Sequence, residues 1–120
     1  VQIYEDIMVD HAGAVTTSLL AGVRYIKDNR LLPRGFDKTT ADPDVAVHGA
    51  AVEDQDFAGG IDRVVYRLDG TVADGPLEVD VELWYQPIGY RWARNLEEYD
   101  AVETARFVSY YDSKSVGSAV

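Results

Sequence analysis

The chain has no cysteine among its 120 residues. That excludes disulfides, thiolate metal sites, thiol nucleophiles and covalent haem attachment of the c type. It has no run of 18 apolar residues, so no membrane-spanning helix is expected. Positive charge is scarce: 11 Lys and Arg stand against 21 Asp and Glu, a net charge of −10. Such a surface repels phosphate backbones and anionic lipid, which argues against nucleic acid and membrane-surface partners. A basic protein partner, a cation, or plain solubility all remain compatible with it. The sequence begins without methionine and without a visible signal peptide, which suggests a piece excised from a longer protein.

What is present is ample apolar material. At 47% hydrophobic, the chain can build one core, and residues 1–120 are expected to form a single domain. Val1, Ile3, Ile7 and Val9 share one parity and Glu5 alone interrupts the row, which predicts a strand over residues 1–9. Asp10-His11-Ala12-Gly13 follows as a turn. From Val15 to Tyr25 the odd positions again fit period two. A helix competes there, and Gly22, which costs about 1 kcal/mol against alanine in a helix, tips the reading to strand. Val45–His48 reads as a short strand between the polar stretches 37–44 and 53–60.

The clearest unit comes next. Val64, Tyr66 and Leu68 alternate with Arg63, Val65 and Arg67, while Leu77, Val79, Val81, Leu83 and Tyr85 alternate with Glu78, Asp80 and Glu82. These two runs are expected to pair as a hairpin with one buried face and an outer face of arginines against carboxylates. Glu103 to Arg106 opens a predicted helix that buries Phe107, Val108 and Tyr111 and frays from Ser113 onward. Between the first two predicted strands and the polar loop lies Tyr25–Asp37, whose Leu31, Leu32 and Phe36 are expected to fold back and be buried.

Chemistry-bearing constellations are few. His11 and His48, the only histidines, are physically able to ligate a haem iron, but a turn and a strand end are where solvated histidines sit. Asp37, Asp42 and Asp44 in one loop and Glu53, Asp54 and Asp56 in another invite a calcium reading. Without EF-hand spacing and its glycine, solvated loops are the expectation and no metal site is assigned. Carboxylates at Glu78, Asp80 and Glu82 lie about 6–7 Å apart on a strand face, where arginines opposite make them an ion-pair ladder. No serine has a Gly-x-Ser-x-Gly setting, and Gly59-Gly60 reads as a turn. No catalytic residue is assigned and no enzyme is expected. The last third is rich in aromatics, and Trp84, Tyr90 and Trp92 near Arg91 and Arg94 form a candidate interface. Packing of the tail on the sheet is the competing account.

The runs Val1-Gln2-Ile3-Tyr4-Glu5, Lys27-Asp28-Asn29-Arg30-Leu31-Leu32-Pro33 and Glu82-Leu83-Trp84-Tyr85-Gln86-Pro87, with Arg106-Phe107 and Tyr110-Tyr111, resemble the C-terminal region of bacterial multihaem c-type cytochromes. The resemblance spans most of the chain. It implies a β-rich, sandwich-like domain that follows a haem-bearing part of an exported protein, periplasmic or extracellular. The family's Cys-x-x-Cys-His motif is absent here, so no haem-attaching residue carries over, and haem is expected elsewhere in the parent protein.

These readings converge on a mainly antiparallel β-sandwich, loosely immunoglobulin-like, with a C-terminal helix. The function expected from the resemblance is a non-catalytic accessory domain that packs on the haem part or docks a redox partner. The alternative is a cation- or carbohydrate-binding or adhesion module of an exported protein.

Overall fold

The computed structural model describes residues 1–68 and 75–118. The chain separates into two compact units, Val1–Val65 and Tyr66–Val120. The first holds one three-stranded antiparallel sheet: β1 (Asp6–Val9), β2 (Val15–Thr16) and β3 (Arg24–Asp28), ordered β2-β1-β3. The second is helical where it is regular, with α1 (Tyr90–Asn95), a single 3-10 turn at Leu96–Glu98 and α2 (Val102–Ser118). The β-sandwich expectation is therefore overturned: no second sheet exists among the described residues to face the first.

The departures have local causes. Residues 1–5 precede β1 because they are held mainly by side chains, with one backbone bond from the Asn29 N–H to the Glu5 carbonyl. The Asn29 amide donates to the Ile3 carbonyl and accepts from the Glu5 N–H, each at 3.0 Å. The Lys27 ammonium also reaches the Ile3 carbonyl, and it pairs with the Glu5 carboxylate at 3.0 Å. Glu5, the residue that broke the apolar row, is thus held by a partner. The predicted strand over Val15–Tyr25 is two strands, split by a turn in which Ala21 and Gly22 N–H groups both donate to the Ser18 carbonyl. Leu19 and Leu20 point outward at its tip. β1 then pairs with β3 through Ile7↔Lys27 and Met8↔Tyr25, which leaves Ile26 as the extra residue of a bulge.

Val45–His48 is no strand either. Asp42 accepts from the Asp44 N–H and Pro43 presets the backbone, so a 3-10 turn forms over Pro43–Val45. Only His48 pairs, as an isolated bridge to Asp28. The largest correction concerns the hairpin. Residues 63–68 and 77–85 form no ladder among the described residues, and their apolar rows stay exposed. Period two specifies which residues share a face but supplies nothing to cover it, and a lone two-stranded ribbon is marginal in water. The loop expected between these runs falls largely on 69–74, outside the described residues.

The core of the first unit is small: Met8, Val9, Val47 and Phe57 are buried, together with polar Asp28 and Asn29. The segment after β3 does fold back, by a turn in which Phe36 N–H meets the Pro33 carbonyl and Gly35 takes φ +87°. Leu32 and Phe36 become half-buried, whereas Leu31 stays exposed. Gly59-Gly60 lies directly against this turn, and a Cβ on Gly59 would collide with backbone atoms of Phe36. It is a close-approach site, not merely a turn.

In the second unit, α2 starts where expected and buries Tyr111, with Phe107 and Val108 half-buried. Thr104 secures its first turn by donating to the carbonyls of Tyr99 and Ala101 at 2.9 Å. Glu103 in that turn complements the helix dipole. The helix runs on to Ser118 instead of fraying at Ser113.

Candidate functional site

The densest polar constellation lies at the end of β3. Asp28, only 7% exposed, takes a bidentate fork from Arg30, with Nε to Oδ1 at 3.0 Å and Nη2 to Oδ2 at 2.6 Å. Its backbone exchanges both hydrogen bonds with His48, and the Tyr25 ring sits 5.9 Å from the His48 ring and 5.9 Å from the Arg30 guanidinium. The Asp28 hydrogen bond, ahead of the opposing effect of burial, raises the Arg30 pKa further above its already high ordinary value. A buried carboxylate paired this way is matched in charge and satisfied in hydrogen bonding. The arrangement fixes the exit of β3, with the Asp28 carboxylate engaged by Arg30 at both oxygens.

Beside it stands the Asn29 clamp described above. Asn29 N–H also donates to the Glu5 carbonyl at 3.2 Å, so this one residue makes three bonds to the segment Ile3–Glu5. Tyr4 reaches across as well, its hydroxyl donating to Asp62 Oδ2 at 2.6 Å. The two runs Val1–Glu5 and Lys27–Pro33, more than twenty positions apart in sequence, are thereby knitted into one node.

The sequence-predicted candidates fall elsewhere. His11 is exposed in its turn, where the neighbouring Asp10 carboxylate accepts from the Ala12 and Ala14 N–H groups. His48 is half-buried against Tyr25 and not simply solvated. Three of the six carboxylates in the acidic loops serve their own turns, Asp37 accepting from Thr39, Asp42 from Asp44 and Asp54 from Asp56, while Asp56 lies 3.9 Å from Arg63. The Thr39 hydroxyl and N–H hold the Asp37 carboxyl below its usual range. What joins the two loops is a lysine. Lys38 Nζ donates to the Ala51 carbonyl at 2.9 Å and to the Asp54 carbonyl, and lies 5.8 Å over the Phe57 ring. Carbonyl oxygens that a hard cation would want are thus met by an ammonium. No group of three His, Asp or Glu able to hold a metal occurs among the described residues.

Trp84, Tyr90 and Trp92 do not form a closed cluster. Trp84 is 57% exposed, its indole N–H donating to Glu82 at 2.8 Å. Tyr90 lies under the Arg94 guanidinium at 5.0 Å, and Trp92 is one-third exposed near Gly89. Arg94, marked from sequence as an interface arginine, is engaged within its own unit. It pairs with Glu97 and Asp112 and lies 6.0 Å from the Tyr111 ring, which ties α1 to α2. Gln86 adds a bond to the Tyr111 hydroxyl at 3.0 Å. The groove beside this clamp, about 680 Å³ and lined by Leu96, Tyr99, Val108 and Asp112 among others, is shallow and open.

Sequence reasoning missed Asn29, Lys38 and Gly59. The burial of Asn29, kept because its hydrogen bonds are met, is visible only in the fold. No family model, curated protein or solved structure matches the chain.

Proposed function

We propose that this chain is a non-catalytic accessory domain of a multihaem c-type cytochrome, serving electron transfer by packing on the haem-bearing part or docking a redox partner. The observation that carries the reading is the node at Asn29. The two runs of the resemblance, Val1–Glu5 and Lys27–Pro33, are joined through the Asn29 and Lys27 side chains. Motif residues used to fix one loop's path fit a module whose role is shape and docking. Exposed Trp84, Tyr90 and Trp92 supply the aromatic surface such docking uses. The parent protein is then exported, with haem bound outside this chain.

The test is an absorption spectrum and haem assay of the parent protein purified from its source. A strong Soret band with covalently held haem is the expected result; a haem-free parent removes the proposal. Within a haem-bearing parent, Trp84→Ala weakens docking of the domain while its isolated fold persists. Loss of folding from that change alone would reassign Trp84 to structure.

A further inference from the structure

Two short segments present matched rows in sequence. In Arg63–Leu68 the apolar Val64, Tyr66 and Leu68 alternate with Arg63 and Arg67; in Leu77–Glu82 the apolar Leu77, Val79 and Val81 alternate with three carboxylates. Every residue of both segments is exposed, Val81 to 87% and Leu68 to 67%. Neither segment belongs to a ladder among the described residues, so their backbone groups are available for pairing. We propose that they pair between two copies of the chain: Arg63–Leu68 of one copy lies antiparallel to Leu77–Glu82 of its partner, and the reciprocal pair forms by the same two-fold rotation.

The register follows from the charges. Setting Arg67 opposite Glu78 places Arg63 opposite Glu82, and on the other face Val64 meets Val81, Tyr66 meets Val79 and Leu68 meets Leu77. A slip of one residue turns the arginines toward the apolar row, and a slip of two leaves only one arginine opposite a carboxylate. A second copy is the fitting occupant because each chain carries both halves of the match. An isologous contact uses both at once. The two ladders can then stack their apolar faces on each other, which removes the exposure that makes a lone ribbon marginal. The inference is independent of any haem-bearing parent.

Sedimentation analysis of the 120-residue chain, with Arg67→Glu and Glu78→Arg variants, tests it. The wild type should dimerise with rising concentration. Each variant alone sets like charges opposite one another at both symmetric positions. At about 0.2–1 kcal/mol per cross-strand pair, the dimer Kd should rise about tenfold. An equimolar mixture of the two variants should recover the wild-type Kd, because each chain then meets the complementary charge on the other. A wild type that stays monomeric overturns the proposal, as does a mixture no better than its components. The absence of cysteine gives a second readout: the Val64→Cys/Val81→Cys double variant should oxidise to a species of twice 13.3 kDa. Disulfides closed only within single chains would place the pairing inside one copy and overturn it equally.

Discussion

The Asn29 side chain donates to the Ile3 carbonyl at 3.0 Å from a position only 6% exposed, across 26 residues of sequence. One amide therefore does what a stretch of ladder would otherwise do for the N-terminal segment. Asn29→Ala removes both side-chain bonds, so the Glu5 N–H loses its bond to the amide while the Ile3 carbonyl keeps the one from the Lys27 ammonium. We expect a loss of about 1–3 kcal/mol in urea unfolding. Asn29→Asp keeps the acceptor but sets a carboxylate against the Ile3 carbonyl, and should be at least as damaging. A loss below about 0.5 kcal/mol for the alanine variant, the range of neutral surface changes, would mean that Lys27, the Asn29 backbone N–H and the Tyr4–Asp62 bond hold the segment without the amide.

Gly59 and Gly13 separate space from backbone conformation. A Cβ at Gly59 would lie 2.9 Å from the Phe36 nitrogen and closer still to the Phe36 carbonyl oxygen, all rigid backbone. At Gly13 a Cβ would meet nothing, but φ is +82°. Gly13→Ala should cost about 1–2 kcal/mol from the left-handed conformation alone. Gly59→Ala should exceed it, because the turn at Pro33–Phe36 must move. Thermal midpoints of the two variants check the order; equal shifts would show that the turn yields freely.

Much of this was legible residue by residue and little of it as architecture. The turn at Asp10–Gly13 and the helix burying Tyr111 were readable because their causes are local: an aspartate that caps its own turn, and apolar residues at helical spacing. The sheet was not. Alternation at Val15–Tyr25 hid a turn closed by the Ser18 carbonyl, and Ile26 forms a bulge that no period-two count anticipates. At Leu77–Tyr85 the alternation is strong, yet a face needs a covering layer, and the sequence pattern of one strand does not name it. The candidate site was hidden for the same reason: Asn29 and Lys38 act on Ile3, Glu5, Ala51 and Asp54, partners far away in sequence.

Asp37 gives a pH prediction with a defined sign. Its folded-state pKa is depressed, first by the Thr39 hydroxyl and then by the Thr39 N–H. A depressed carboxyl contributes stability that is complete above its unfolded value, near 3.9, and that is lost as pH falls through the lower folded value. Thr39→Val removes the hydroxyl and keeps the N–H, so the Asp37 pKa should move up without regaining its ordinary value fully. Carbon-detected NMR titration of the Asp37 carboxyl measures it directly. An unchanged titration would mean that the Thr39 N–H and the bonds from Thr40 set the shift without the Thr39 hydroxyl.

Lys38 should prove more important than an exposed-loop lysine has reason to be. Its ammonium donates to the carbonyls of Ala51 and Asp54 and rests over Phe57, which is only 2% exposed. Lys38→Met keeps most of the apolar stem and deletes both charge-assisted bonds, each worth about 1.5–3 kcal/mol at most in a buried setting and less at this partly open one. We expect a loss of about 1–3 kcal/mol, read as a lower urea midpoint with an unchanged slope. If the ammonium holds the two acidic loops together, calcium should protect the Lys38→Met variant from unfolding more than it protects the wild type, since a divalent ion can then approach the vacated carbonyls and the carboxylates around them. Equal calcium responses, with a stability loss under about 0.5 kcal/mol, would show that the loops keep their path without the lysine and that its contacts are incidental.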